Sequence, residues 1–186
     1  MTRLADGWLR EAIHAPSPNV DERPADARIE LVVIHNISLP PGQYGGGHVQ
    51  ALFMNRLDPE GHPFFAGIAD ARVSAHVLIE RAGRITQFAS FDRRAWHAGS
   101  SAFQGRSRCN DFSIGIELEG SDFEPFTDAQ YDALNAVLAV VCAAYPVRFV
   151  CGHSAIARER KTDPGPFFEW DRLDLPASVS LSSARA

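Results

Sequence analysis

Two histidines and one aspartate in this chain have the residue types and setting that metal chemistry requires. His35 closes the apolar run Leu31–His35 (LVVIH), and His153 follows Gly152 just after Arg148–Cys151 (RFVC). Asp163 comes ten residues later, in the run R-K-T-D-P-G-P (160–166). Two imidazoles and one carboxylate on separate turns would leave the fourth position of a tetrahedral zinc site open to water. Spacing alone favours the plainer alternative, hydrogen-bonded structural histidines, because His35 and His153 are distant in sequence. Glu117 lies on the polar side of S-I-G-I-E-L-E (113–119), and Lys161 lies two residues before Asp163. A carboxylate that does not bind the metal can carry a proton, and an ammonium can steady an oxyanion. Each also has an ordinary reading, as a solvent-facing strand residue and a solvated loop cation.

To work together, these groups need a fold that brings distant segments to one place. The pattern predicts a single α/β (α+β) domain, 1–186: a central mixed β-sheet flanked by helices, with the site at one edge of the sheet. Leu31–His35, His76–Glu80, Arg84–Ala89, Ser113–Glu119 and Arg148–Cys151 read as strands. Arg81-Ala82-Gly83 suits a hairpin connection between the second and third of these. The spacing predicts a short helix from Val49 to about Leu57. A longer helix is predicted over Asp128–Tyr145, opened by a capping box at Thr127 and Gln130 and stopped by Pro146. Residues 15–28 read as an irregular lead-in. Loops 40–47 and 58–72 are expected to border or gate the cleft. The core is expected over about 7–175, with a frayed tail at 176–186.

Composition narrows the function. The net charge of −5 and a pI near 5.8 argue against a nucleic-acid or anionic-membrane partner. Asp6, Arg10 and Glu11 interrupt the apolar core that a secretory leader needs, so the cytoplasm is the expected compartment. The longest apolar stretch, Ala136–Tyr145, is about half the roughly 20 residues of a spanning helix. Cys109, Cys142 and Cys151 form no CxxC pair. Of the 18 basic residues, Lys161 is the single lysine. Among the other histidines, His76 reads as a hydrogen-bonded core residue. The pair Trp96-His97 suits a sugar-binding wall and a closed turn equally.

Six segments occur in order: V-V-I-H-N-I-S (32–38), S-A-H-V-L-I (74–79), W-H-A-G (96–99), N-D-F-S-I-G-I-E-L-E-G (110–120), T-D-A-Q-Y (127–131) and G-H-S-A-I-A-R-E-R-K-T-D-P-G (152–165). Together they resemble the zinc-dependent N-acetylmuramoyl-L-alanine amidase family, which also contains phage lysozyme-type amidases and peptidoglycan-recognition proteins. The loop S-L-P-P-G-Q-Y-G-G-G (38–47) and the phrase L-E-G-S-D (118–122) resemble its cytoplasmic branch, which recycles 1,6-anhydro-muropeptides. The resemblance runs from about Gly7 to Trp170. It implies that His35, His153 and Asp163 ligate one zinc ion (Zn2+), that Glu117 activates water, and that Lys161 lies near the scissile carbonyl. It places Asn36, Arg72, Arg108 and Ala157 where relatives contact the sugar and stem peptide. Ala155 and Arg158 stand where the family commonly has an acid and a proline, which implies a looser ligand loop.

The implied reaction is hydrolysis of the amide between the lactyl group of 1,6-anhydro-N-acetylmuramic acid and L-alanine. The expected partner is a small anhydro-muropeptide, with no nucleic acid, membrane or obligate protein partner. Two rivals are an exported amidase acting on intact peptidoglycan and a non-catalytic muropeptide-binding module. The first needs an export route; the second has no use for an intact metal triad.

Overall fold

Short apolar runs between turn-forming loops build one seven-stranded sheet. The computed structural model describes residues 4–182. The strands are β1 (Ile13–His14), β2 (Leu31–Ile37), β3 (Val77–Ile79), β4 (Ile85–Gln87), β5 (Ser113–Glu119), β6 (Phe149–Gly152) and β7 (Ser180–Ser182). Their order across the sheet is β7-β6-β2-β5-β3-β4-β1. β3 and β4 pair antiparallel, as the hairpin at 81–83 requires. The other pairs are parallel, so the sheet is mixed as expected.

Alternation assigns the two faces. Val32 and Ile34 of β2, Ile114, Ile116 and Leu118 of β5, and Val150 of β6 enter the main core cluster. That cluster is closed by helix α2 (Asp128–Ala144) through Tyr131, Leu134, Val137, Leu138 and Val141. The capping box forms: Thr127 Oγ1 accepts from Gln130 N at 3.2 Å, and Gln130 Oε1 accepts from Thr127 N at 3.1 Å. Gln130 Nε2 also donates to the carbonyls of Ile79 and Glu119, fastening α2 to the ends of β3 and β5. The opposite face carries Leu31, Val33 and Cys151 in one cluster, while Leu78 packs with Leu52 and Phe53 of helix α1 (His48–Phe53) in another.

Several boundaries differ from the sequence reading. Helix α1 ends at Phe53 rather than near Leu57. Its last carbonyl accepts from Ser17 Oγ and Asn19 Nδ2 of the lead-in segment, and Asn55 takes a left-handed backbone at φ 56°. Strand β2 runs on to Ile37, so His35 lies inside it rather than at its end. In the tail read as frayed, Ser180–Ser182 pairs in parallel with Phe149–Cys151, while 183–186 fall outside the described residues. No described helix is long and apolar enough to cross a membrane.

His76 is a fully buried, hydrogen-bonded core histidine, as its strand position suggested. Its Nδ1 accepts from Gly115 N, and its Nε2–H donates to the Arg93 carbonyl, both at 3.0 Å. Burial, then the nearby Arg23 charge, push its pKa down to about 3 from an ordinary 6.5. The unfolded chain therefore binds a proton below pH 6.5 that the folded chain refuses until about pH 3. Stability from the neutral ring is present above 6.5 and falls by up to about 1.4 kcal/mol per pH unit in that window. Urea unfolding of the wild type should weaken more steeply from pH 7 to pH 5 than that of His76→Gln. Equal slopes would contradict this.

Candidate active site

The period-two alternation that sends Ile34 and Ile116 toward α2 sends His35 and Glu117 to the other face. The parallel register pairs His35 of β2 directly with Glu117 of β5. On the other side of β2, Gly152 of β6 pairs with Ile34, and His153 opens the short helix α3 (His153–Ile156). The edge that carries the site is thus formed by the carboxyl ends of β2, β5 and β6, the usual ligand position in such sheets. Gly152 permits the ligand loop to close: a Cβ there would meet Pro164 Cδ at 2.6 Å and the Asp163 carbonyl at 3.2 Å. Ser154 N donates to that same carbonyl at 3.0 Å.

His35, His153 and Asp163 come together and are buried. Among the described residues they are the one cluster of three such side chains with ligand atoms within 4.8 Å of one another. His35 Nδ1 lies 3.0 Å from His153 Nδ1 and 3.0 Å from Asp163 Oδ2, and His153 Nδ1 lies 3.1 Å from the same oxygen. Burial, partly opposed by Asp163, lowers the His35 pKa to about 4, so the ring is neutral near pH 7. On the outer side of His153, Nε2 faces the Ala98 carbonyl at 3.1 Å. A carbonyl only accepts, so Nε2 carries a proton, and in the neutral ring Nδ1 presents a lone pair. Two imidazole nitrogens and a carboxylate oxygen converging this closely form a donor set that fits a divalent metal ion.

Glu117 is buried beside this cluster, and among the described residues its Oε2 has no hydrogen-bond partner. Burial, then the Asp163 charge, raise its pKa well above the ordinary value, with Lys161 pulling the other way. Glu119, on the same face of β5, has a different task. Its Oε1 accepts from Gly45 N at 2.6 Å and its Oε2 from Arg81 N at 3.1 Å, so both oxygens clamp loops. Two glutamates of one strand are thereby told apart, one engaged and one with an oxygen free.

Lys161 is exposed and lines a cleft of about 370 Å³ with Asn36, Ser38, Asp122, Phe123 and Asp163. Asn36 Nδ2 donates to Asp122 Oδ1 at 2.7 Å and to the Pro164 carbonyl at 3.0 Å, tying β2 to both cleft walls. Ala157 lines a neighbouring hollow with Ser100 and Arg158–Arg160. Arg72 and Arg108 are exposed and do not line the cleft with Lys161; Arg108 pairs with Asp111 at 3.1 Å. The ligand loop, expected to be looser without the acid and the proline, is held by Arg160. Its guanidinium donates to the carbonyls of Ala98 at 3.1 Å and Ser100 at 2.7 Å, and Ala155 packs into an apolar cluster. In the border segments, Tyr44 donates to Glu124, while Phe65 is buried against α1.

His97 is the residue whose place neither sequence reading captured. It forms neither a cleft wall nor a mere turn: it is buried behind His35, with its Nδ1 3.0 Å from His35 Nε2. The signal available in the sequence was the phrase W-H-A-G, which is silent about a partner 62 positions away.

Fold and site together define a hydrolase that carries a donor set for a divalent cation at the carboxyl ends of a mixed sheet. The profile of the N-acetylmuramoyl-L-alanine amidase family matches residues 25–166, and the chain belongs to that family. It is 57% identical to the 1,6-anhydro-N-acetylmuramyl-L-alanine amidase AmpD of Enterobacter cloacae, over 95% of this chain and 96% of that one. A crystal structure of a selenomethionine AmpD derivative superposes with a TM-score of 0.90 at 56% identity, covering 96% of this chain and 99% of that one. AmiD of Escherichia coli, solved with the substrate anhydro-N-acetylmuramic acid–L-Ala–D-γ-Glu–L-Lys, superposes with a TM-score of 0.58 at 31% identity. That match covers 81% of this chain and 59% of AmiD.

Proposed function

We propose that this chain is a cytoplasmic zinc amidase of cell-wall recycling. It hydrolyses the amide between the lactyl carboxyl of 1,6-anhydro-N-acetylmuramic acid and L-alanine. The observation that carries this reading is the convergence of His35, His153 and Asp163 beside a glutamate with a free buried oxygen. These three residues would hold one zinc ion, which when bound supplies Lewis acidity and a water of pKa near about 7. Glu117 takes the proton of the attacking water and passes it to the leaving nitrogen of L-alanine. Its raised pKa suits both halves of that task, because the protonated form persists long enough to act as an acid. Lys161, at the cleft mouth, meets the negative charge that develops on the carbonyl oxygen.

Asn36, in the cleft, and Ala157, in the neighbouring hollow, are assigned to the sugar and stem peptide; Arg72 and Arg108, outside the cleft, are assigned to stem carboxylates. The exposed guanidinium forks of the two arginines support the latter. Likeness to AmpD over nearly the whole chain supports the anhydro-sugar and the recycling role. Purified protein incubated with anhydro-muropeptide should release free stem peptide and anhydro-N-acetylmuramic acid, seen by mass spectrometry. Chelation should stop the release and added zinc restore it. No cleavage with zinc restored would overturn the enzyme reading, and equal turnover of intact peptidoglycan would overturn the substrate assignment.

A further inference from the structure

His97 and Ser113 are buried behind His35, and a chain of hydrogen bonds joins them to it. The end of the chain is fixed by chemistry. Ser113 Oγ lies 2.6 Å from the Cys109 carbonyl, which only accepts, so the hydroxyl proton points there. The lone pair left on Ser113 Oγ faces His97 Nε2 at 3.1 Å, which makes that nitrogen the N–H donor. His97 Nδ1 is then bare and accepts from His35 Nε2–H at 3.0 Å. His35 Nδ1 is left with its lone pair, aimed at His153 Nδ1 and Asp163 Oδ2. One carbonyl thus sets the polarity of three successive links.

The surroundings hold this chain in place. Asn110 Oδ1 accepts from the backbone of His97 at 3.2 Å and of Ala98 at 2.8 Å, fixing the segment that faces both histidines of the cluster. The His97 ring lies between His35 and His76, with centroids 5.1 Å and 5.7 Å away. It also lies over Gly115 of β5, where any Cβ would fall on the ring. Glycine at 115 is what lets a histidine enter between the strand and the site.

We propose that His97 and Ser113 are positioning residues that hold His35 in its Nε2–H tautomer, so that Nδ1 is presented to the metal. This rests on the reading of His35 as a ligand. A partner of this kind typically tunes metal affinity by roughly 10–100-fold.

The test is two-bond 1H–15N NMR of the imidazoles in the metal-free full chain, together with zinc affinity by competition against a chelating dye. In the wild type, His35 and His97 should both show the Nε2–H pattern. In Ser113→Ala, His35 should move toward a mixture of tautomers while His153, held by Ala98, keeps its own. Zinc affinity should fall roughly 10–100-fold. His97→Gln, whose amide oxygen can accept from His35, should bind zinc more tightly than His97→Phe, which cannot. A wild-type His35 in the Nδ1–H form overturns the proposal without recourse to any variant. Unchanged zinc affinity in both Ser113→Ala and His97→Phe also overturns it, leaving the ligand reading intact. A wild type that binds no zinc overturns the ligand reading instead, and with it the proposed role.

Discussion

Replacing Glu117 by glutamine is expected to lower kcat by about 10²–10⁴-fold while the protein keeps close to one equivalent of zinc. The change preserves shape in a buried position and removes only the ability to take up and return a proton. Glu117 stands abreast of His35 on the neighbouring strand, on the same face of the sheet. It is not among the three residues whose ligand atoms converge. Its unpartnered Oε2 means that structure alone gives the charge no support there. A carboxylate in that setting costs folding energy, so Glu117→Gln should be at least as stable as the wild type. Loss of zinc along with activity would recast Glu117 as a ligand. Retained activity would remove it from the reaction.

Zinc should raise the melting temperature of the metal-free wild type and leave His153→Ala and Asp163→Ala almost unmoved. Binding at about 1,000 times Kd stabilises a fold by about 4 kcal/mol. At about 2–4 °C per kcal/mol for a domain of this size, the shift is roughly 10 °C. The direction follows from the three donor atoms that the fold brings within 3.1 Å of one another, a site that the unfolded chain lacks. Removing either ligand destroys the site. Glu117→Gln should keep the full zinc shift, which separates ligand from proton carrier in a measurement independent of turnover. A shift of equal size in His153→Ala would place the metal elsewhere.

Much of the frame could be read from local pattern. The capping box at Thr127 and Gln130, the stop at Pro146 and the alternation of Ser113–Glu119 each reflect contacts within a few residues. The same alternation misleads about the second face of β5. Ser113, Gly115, Glu117 and Glu119 read as a polar, solvent-facing row, yet all four are buried. Polarity marks water or a buried polar network equally well, and here the network is made by His35, His76 and His97 from other segments. Strand β7 left no side-chain signal because its serines join the sheet through the backbone alone. The end of α1 was hidden for a related reason, since its cap comes from Ser17 and Asn19 in the lead-in.

The site shows the same division. His35, His153 and Asp163 carry the right atoms, but their separation in sequence made hydrogen-bonded structural histidines the better reading of spacing alone. Only the ordered family phrases picked them out, and the register of β2, β5 and β6 supplies the physical reason. His97 escaped because its task depends on two partners reached through the fold. Asn36 was read as a substrate contact, and it also braces the cleft by donating to Asp122 and the Pro164 carbonyl.

The metal itself can be located by anomalous diffraction at the zinc edge, on crystals of the full chain grown with zinc. One peak is predicted, bounded by His35 Nδ1, His153 Nδ1 and Asp163 Oδ2, with Glu117 near but not bonded to it. A peak held through the Nε2 atoms, a peak ligated by Glu117, or no peak at this cluster would contradict the account.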